Sequence, residues 1–240
     1  EMLRSLVGSE MCIRDRTYTG GEGMLFSVSF KIKFLKLKDY VMRRLRLENS
    51  DITILSNNCI GGIIYHKLGL RFKSPTINLL IGLSDFIELV ENLKKYENAE
   101  LVEDLNNYES YPVGILIGEE IKPIKIKFMH YKSFEEAKIK WMERFSRINY
   151  DNICVIAEMG MATNEELREK FHKINYKKAS IINVPKCKYE EEIFIDIYNA
   201  DYEWGKLISI DRERGIGERL YLDRFDYVQF LNSGIVRETK

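Results

Sequence analysis

The chain has 240 residues, and its 37 lysines and arginines balance 37 aspartates and glutamates, so the formal net charge at pH 7 is zero. This balance excludes the strong positive field that indicates a nucleic-acid or anionic-membrane partner. No apolar run reaches the ~18 residues of a membrane span, and no signal-peptide pattern is present. A composition of 45% hydrophobic and 31% charged residues therefore predicts a globular protein of the cytoplasm.

The first 23 residues are interpreted separately from the fold. Residues 5–15 resemble the translation of an adapter used in sequencing libraries, and Gly20–Gly23 continue the same junction. We therefore expect residues 1–23 to be an assembly artefact with a flexible junction, and Met24 to be the start of the protein. Residues 24–240 are predicted to form a single α/β domain, and the polar stretch at 98–112 is where two lobes would divide.

Three cysteines remain after this segment, namely Cys59, Cys154 and Cys187. Their number is odd, their spacing contains no C-x-x-C pair, and no histidine lies beside them. This pattern argues against a disulfide framework and against a structural zinc site. We predict reduced thiols, no metal site and no cofactor.

The first predicted element is an amphipathic helix, in which apolar residues recur at helical spacing at Phe34, Leu37, Val41 and Leu45. A buried strand follows at 52–55 and leads through a glycine turn into a short helix. Next come a second strand at 76–81, a helix capped by Ser84, and a polar stretch at 97–111 that is predicted to be a long loop.

The middle of the chain begins with two further strands, at 113–117 and 124–128, which are predicted to form a hairpin. Ser133 and Glu136 then form a capping box. A helix is therefore expected to begin directly after the hairpin and to run to about Ile148.

The remaining chain continues the alternation of strands and helices. Thr163 and Glu166 form a second capping box, and a last helix begins at about Asp223. Additional strands are predicted at 153–157, 179–182 and 193–197. This order predicts an α/β fold with a mixed, largely parallel sheet and helices on both faces.

The most informative stretch follows the first buried strand, where polar side chains and glycines come together at Asn57, Asn58, Cys59, Gly61 and Gly62. The strand, turn and helix place this stretch at the carboxyl end of a strand. Open α/β sheets bind their ligands at that edge. The glycines permit positive φ or the close approach of another group.

A second informative stretch begins with His130, at the end of the predicted hairpin. The helix that follows carries Lys140, Arg144 and Arg147 at positions i, i+4 and i+7, which forms a cationic stripe beside its buried face. The stripe is interpreted either as a binding surface for an anion or as a solvated face paired with glutamates of the same helix.

The two stretches together resemble a bacterial family of exopolysaccharide biosynthesis proteins that contain a domain of unknown function. The resemblance is carried by the motif S-N-N-C-x-G-G at 56–62 and by H-Y-x-S-x-E-E-A-x-x-K-W-x-x-R at 130–144. That family usually has a tryptophan where this chain has Ile60. The resemblance implies a role in a surface-glycan pathway.

Within that pathway we expect a transferase that acts on an activated sugar or on a nascent glycan. Asn57 and Asn58 would contact sugar hydroxyls, backbone N–H groups around Gly61 and Gly62 would bind phosphate, and the cationic stripe would neutralise a diphosphate or an anionic glycan. The expected partners are a nucleotide sugar, a phosphorylated sugar or a glycan, together with membrane-associated polysaccharide machinery.

Two other interpretations stay open at this point. In the first, Cys59 is the nucleophile of a hydrolase or acyltransferase and His130 its base, with His66 as the alternative base, unless Cys59 is simply a small buried side chain. In the second, the protein is a non-catalytic glycan-binding or assembly factor, which needs the asparagines and arginines but no reactive thiol.

Overall fold

A computed structural model describes the residues 37–38, 40–160, 163–182, 187–195, 209–211, 216–218 and 224–237. The predicted artefact at 1–23, Met24, Phe34 and Asp223 lie outside these residues. Within the described part of the chain, no helix combines the length and the apolar character needed to cross a bilayer.

The strands, in chain order, are β1 (Thr53–Ser56), β2 (Leu80–Ile81), β3 (Glu100–Glu103), β4 (Val113–Ile117), β5 (Ile124–Lys127), β6 (Ile153–Met159), β7 (Lys177–Ile182), β8 (Glu192–Phe194), β9 (Ser209–Asp211) and β10 (Ile216–Glu218). The helices are α1 (Ile60–Lys67), α2 (Leu83–Glu91), α3 (Phe134–Phe145), α4 (Glu165–His172) and α5 (Tyr227–Ser233). Residues 40–46 are also helical, and 3-10 geometry is found at Lys95–Asn98.

The described strands form two four-stranded sheets and one two-stranded ribbon. The first sheet is parallel and has the order β1-β6-β7-β8. The second is antiparallel and has the order β2-β5-β4-β3, while β9 and β10 pair with each other. The mixed α/β class predicted from the sequence is confirmed. The expectation of a largely parallel sheet is met only in part, because the antiparallel sheet has as many strands as the parallel one.

The parallel sheet is buried on both faces because its side chains alternate between two apolar clusters. Leu55 and Val155 belong to the larger cluster, which includes the antiparallel sheet and the apolar faces of α2 and α3. Ile54 and Ile156 point the other way, into a cluster that includes α1 and α5. Helices therefore cover both faces of this sheet, as the sequence predicts.

Side chains close the outer edge of β1, where no other strand of the described residues pairs. The Tyr65 hydroxyl accepts from Ile54 N and donates to Ile52 O, both at 2.9 Å. Thr76 Oγ1 accepts from Ser56 N at 3.0 Å. Two hydroxyls thus take the places of a neighbouring strand's carbonyl and amide groups.

The polar stretch at 97–111 corrects one prediction, because it contains β3 rather than only a long loop. In this strand Leu101 is buried and pairs with Leu116, whereas Glu100 and Glu103 are exposed. Charged residues are typical of an edge strand, whose outer face meets water. In the sequence alone, the polarity of these residues indicates a loop.

Several predicted boundaries also move. The strand predicted at 76–81 is reduced to β2, and α3 ends at Phe145 rather than at Ile148. The N-cap of α2 is Gly82 instead of Ser84. The N-cap of α4 is Asn164, whose side chain accepts from Leu167 N, so the capping box proposed at Thr163 is displaced by one residue.

The helical segment at 40–46 contacts the rest of the fold through polar side chains. Arg43 donates to the Tyr227 hydroxyl at 2.5 Å, and Arg46 pairs with Asp226 at 2.5 Å. The predicted apolar residues Leu37, Val41 and Leu45 are instead exposed. The helix is confirmed, but among the described residues its apolar stripe does not form part of the core.

Candidate functional site

The turn after β1 is organised by one serine. Ser56 Oγ donates to Asn58 O at 2.7 Å and accepts from Gly61 N at 3.0 Å, while Asn58 Oδ1 accepts from Ile60 N at 3.0 Å. A Cβ at Gly61 would lie only 2.7 Å from Ser56 Oγ. Gly61 is therefore needed for close approach and not for positive φ, which it does not have.

Asn57 and Asn58 connect this turn to the end of β6. Asn57 Nδ2 donates to Glu158 O at 3.0 Å, and Asn57 Oδ1 accepts from Glu158 N at 2.9 Å. The Asn57 amide therefore continues the β1–β6 ladder by one step beyond the pair of Ser56 and Ile156. Asn57 is buried, and its role as a sugar ligand stays a prediction.

Asn58 holds a carboxylate at the carboxyl edge of the parallel sheet. Its Nδ2 donates to Glu158 Oε2 in a short contact, and both side chains are half-buried. Glu158 was not among the site residues predicted from the sequence. The signal that could have indicated it is its position directly after a predicted strand, which places it at the same edge as Asn58.

The cationic stripe on α3 does not behave as one surface. Arg147 forms an ion pair with Glu143 and donates to Phe72 O at 3.4 Å, and Lys140 lies 3.9 Å from the same glutamate. Arg144 is only 4% exposed, and its Nη1 donates to the Tyr131 hydroxyl at 2.5 Å. The solvated-face interpretation therefore fits Lys140 and Arg147 but not Arg144.

A short segment before β2 joins the two informative stretches. The Tyr131 hydroxyl donates to Ile77 O at 2.8 Å. A Cβ at Gly62 would lie 3.3 Å from both Ile77 Cγ2 and Asn78 Oδ1. The first turn of α1 and the Tyr131 hydroxyl therefore both lie against Ile77, which places both stretches in one region of the fold.

The proposed nucleophile and base each lie in a turn that follows a strand. Cys59 is half-buried at the N-cap position of α1, and His130 is exposed in the turn after β5. Their pairing stays a prediction. Cys154 is a different kind of thiol, because burial raises its pKa to about 12 and keeps it protonated.

The candidate site contains the amides of Asn57 and Asn58, the carboxylate of Glu158, the thiol of Cys59 and nearby cations. No group of three or more histidine, cysteine, aspartate or glutamate residues in the described part of the chain is arranged to hold a metal ion. Arg144 has the chemistry to bind an anion, and Glu158 has the chemistry to accept a proton.

Residues 31–232 match a protein family described as "Domain of unknown function (DUF1919)". The chain belongs to this DUF1919 family. A relative from Haemophilus influenzae, described as an uncharacterized protein, is 29% identical over 210 residues, which is 83% of this chain and 98% of the relative. The resemblance to a family with a domain of unknown function is thus confirmed, and its exopolysaccharide link stays a proposal.

Proposed function

We propose that this DUF1919 protein takes part in the biosynthesis of a cell-surface polysaccharide, exopolysaccharide or capsule, as a transferase that acts on an activated sugar or a nascent glycan. The observation that carries the proposal is the contact between Asn58 and Glu158 at the carboxyl edge of β1 and β6. The cytoplasmic location and a contact with membrane-associated polysaccharide machinery belong to the same proposal.

Glycosyl transfer needs a base at the acceptor. As the acceptor oxygen bonds to the anomeric carbon, its proton passes to a carboxylate oxygen, and the bond to the phosphate leaving group breaks with its electron pair on that group. A half-buried glutamate fits the first role, and an amide donor such as Asn58 holds it in place. The pathway itself is suggested by the resemblance to exopolysaccharide biosynthesis proteins.

A screen of nucleotide sugars tests this proposal. UDP-, GDP-, dTDP- and CMP-sugars, together with free nucleotides and sugar phosphates, are added to the full chain, and the melting temperature and nucleotide release are measured. A ligand at a hundred times its dissociation constant adds ~2.7 kcal/mol of stability, so that binding is readily detected. We expect one nucleotide class to raise the melting temperature and to be released.

Glu158→Gln separates binding from chemistry in this screen. It should keep the thermal shift and lower nucleotide release by roughly 10²–10⁴-fold, the usual contribution of a general base. Glu103→Gln, at an exposed position of β3, is the matched control and should leave both unchanged. The transferase proposal is wrong if no nucleotide sugar binds or if none is turned over.

The Cys59 enzyme is the second candidate, because Cys59 lies at the N-terminus of α1, where the helix dipole favours a thiolate. This hydrolase or acyltransferase would lose activity in Cys59→Ser and would be alkylated rapidly at neutral pH. The transferase should tolerate Cys59→Ser. A non-catalytic glycan-binding factor would show a thermal shift with glycans and no release from any donor.

A further inference from the structure

Arg144 is a charged side chain enclosed by the fold. It lies on α3 and is 4% exposed, with Cζ 5.2 Å from the centre of the Phe72 ring and 6.0 Å from that of Tyr131. Its Nη1 donates to the Tyr131 hydroxyl, which itself donates to Ile77 O. Two aromatic rings and this hydrogen-bond chain therefore fix the orientation of the guanidinium.

No carboxylate neutralises this charge among the described residues. The nearby acid on α3, Glu143, pairs with Arg147 and lies near Lys140. A guanidinium has five N–H donors, and the Tyr131 hydroxyl is the one acceptor that Arg144 reaches in the described part of the chain. Burial of a charge without a counter-charge is unfavourable, so an anion from outside the chain would find the site preorganised.

The other nitrogens of this guanidinium are not completely buried. In the part of the chain that the structure describes, His172 Nδ1 is the single buried side-chain nitrogen or oxygen without a hydrogen-bond partner. Nε and Nη2 of Arg144, which reach no acceptor in the described part of the chain, therefore each keep a small accessible surface. Lys140 lies one turn before Arg144 on α3, and Arg147 lies just beyond the end of that helix, so two more cations are close in sequence.

We propose that Arg144 is the anchor of a phosphoryl-binding site. A fixed, planar guanidinium whose remaining donors reach no acceptor in the described part of the chain is suited to two parallel hydrogen bonds to a phosphate. Lys140 and Arg147 supply long-range attraction, whereas Arg144 makes the direct contact. The assignment of this anion as the diphosphate of a sugar donor rests on the function proposed above, but the anion site itself does not.

Titration calorimetry on the full chain tests the site with inorganic pyrophosphate, and with acetate as the carboxylate probe, at constant ionic strength. Arg144→Lys keeps the charge but removes the planar fork, and we expect its dissociation constant for pyrophosphate to rise at least tenfold. Lys138→Gln, on α3, is the matched control and should stay within about threefold of the wild type, because it removes one charge from the helix without changing the guanidinium. UDP should compete with pyrophosphate if the natural source is a nucleotide.

Equal pyrophosphate affinity in wild type and Arg144→Lys would overturn the proposal, as would the absence of binding or a preference for acetate. If Arg144→Lys does not fold, Tyr131→Phe replaces it, since loss of the orienting hydroxyl should weaken binding at least threefold. Pyrophosphate binding through Arg144 without turnover of any nucleotide sugar would refute the transferase and leave the site intact. If Arg144→Lys turned over nucleotide sugars normally, the phosphoryl-binding site would be refuted and the transferase proposal would stand.

Discussion

At the scale of single residues, Tyr65 has the clearest energetic role. Its hydroxyl satisfies one amide and one carbonyl at the edge of β1, and burial raises its pKa so that the proton needed for donation to Ile52 is retained. Tyr65→Phe leaves both backbone groups buried without partners. We expect a loss of about 2–4 kcal/mol in the free energy of unfolding, measured in urea.

A matched tyrosine provides the control for this substitution. Tyr108 is fully exposed, and Tyr108→Phe should change the free energy of unfolding by less than about 0.5 kcal/mol. If Tyr65→Phe were as mild as Tyr108→Phe, the hydroxyl would not be the group that closes the edge of β1.

Gly61 gives a second residue-scale prediction. In Gly61→Ala the new methyl group would meet Ser56 Oγ, which is already bonded to Asn58 O and Gly61 N. Because that hydroxyl has no free direction in which to move, we expect a loss of about 1–3 kcal/mol, measured by thermal or urea unfolding.

The same substitution at Gly82 is the control for Gly61→Ala. A Cβ at Gly82 has no neighbour within 4 Å, and its φ of −58° suits alanine. Gly82→Ala should therefore leave stability within about 0.5 kcal/mol of the wild type. Similar losses at both positions would contradict the crowding argument.

The sequence could predict part of the candidate site but not its connections. Helical periodicity places Lys140, Arg144 and Arg147 side by side and gives no means of telling them apart. Arg144 is the buried one because Phe72 and Tyr131, from distant parts of the chain, surround it. Such contacts depend on tertiary packing, which local spacing does not encode.

At the scale of elements, α4 and the start of β8 share a polar cluster. Arg168 binds Glu192, and His172 lies 3.3 Å from both Glu191 and Glu192 and stacks on Tyr189 at 3.9 Å between ring centres. Burial lowers the pKa of His172 below its usual 6.5, although the two glutamates oppose this shift. The folded state therefore binds a proton less readily than the unfolded state.

This difference sets the sign of a pH dependence. Because the unfolded chain binds more protons below about pH 6.5, stability should fall as the pH drops through that window. His172→Gln removes the titrating group. The difference in the free energy of unfolding between this variant and the wild type, measured in urea, should therefore change between pH 7.5 and pH 5. His130→Gln, at an exposed turn, serves as the control. A pH-independent difference in the free energy of unfolding between His172→Gln and the wild type would show that His172 does not cause the pH dependence.

Elements were predictable where the apolar pattern is strong. The buried runs that became β1, β4 and β6, and the Ser133 cap of α3, agree with the sequence because local residues determine them. The strand β3 was missed since its edge position selects charged residues. A one-residue shift moved the cap of α4, because Thr163 and Asn164 are both good capping residues and packing chooses between them.

At the scale of the whole molecule, the alternation of strands and helices predicts an α/β fold but not its division into two sheets. The pairing of β2 with β5, and of β1 with β6, joins segments that are far apart in sequence. The largest apolar cluster contains side chains from both sheets, including Leu55 and Leu116. Which strands pair is a long-range property that the order of strands and helices along a single sequence does not give.

The closed edge of β1 has a further consequence for how copies of this protein behave in a crowded solution. An open strand edge can recruit a strand from another molecule and begin an aggregate. Here the outward amides of Ile54 and Ser56 are already occupied by the hydroxyls of Tyr65 and Thr76. The side chains that stabilise the fold therefore also protect this edge of the parallel sheet against growth by strand addition.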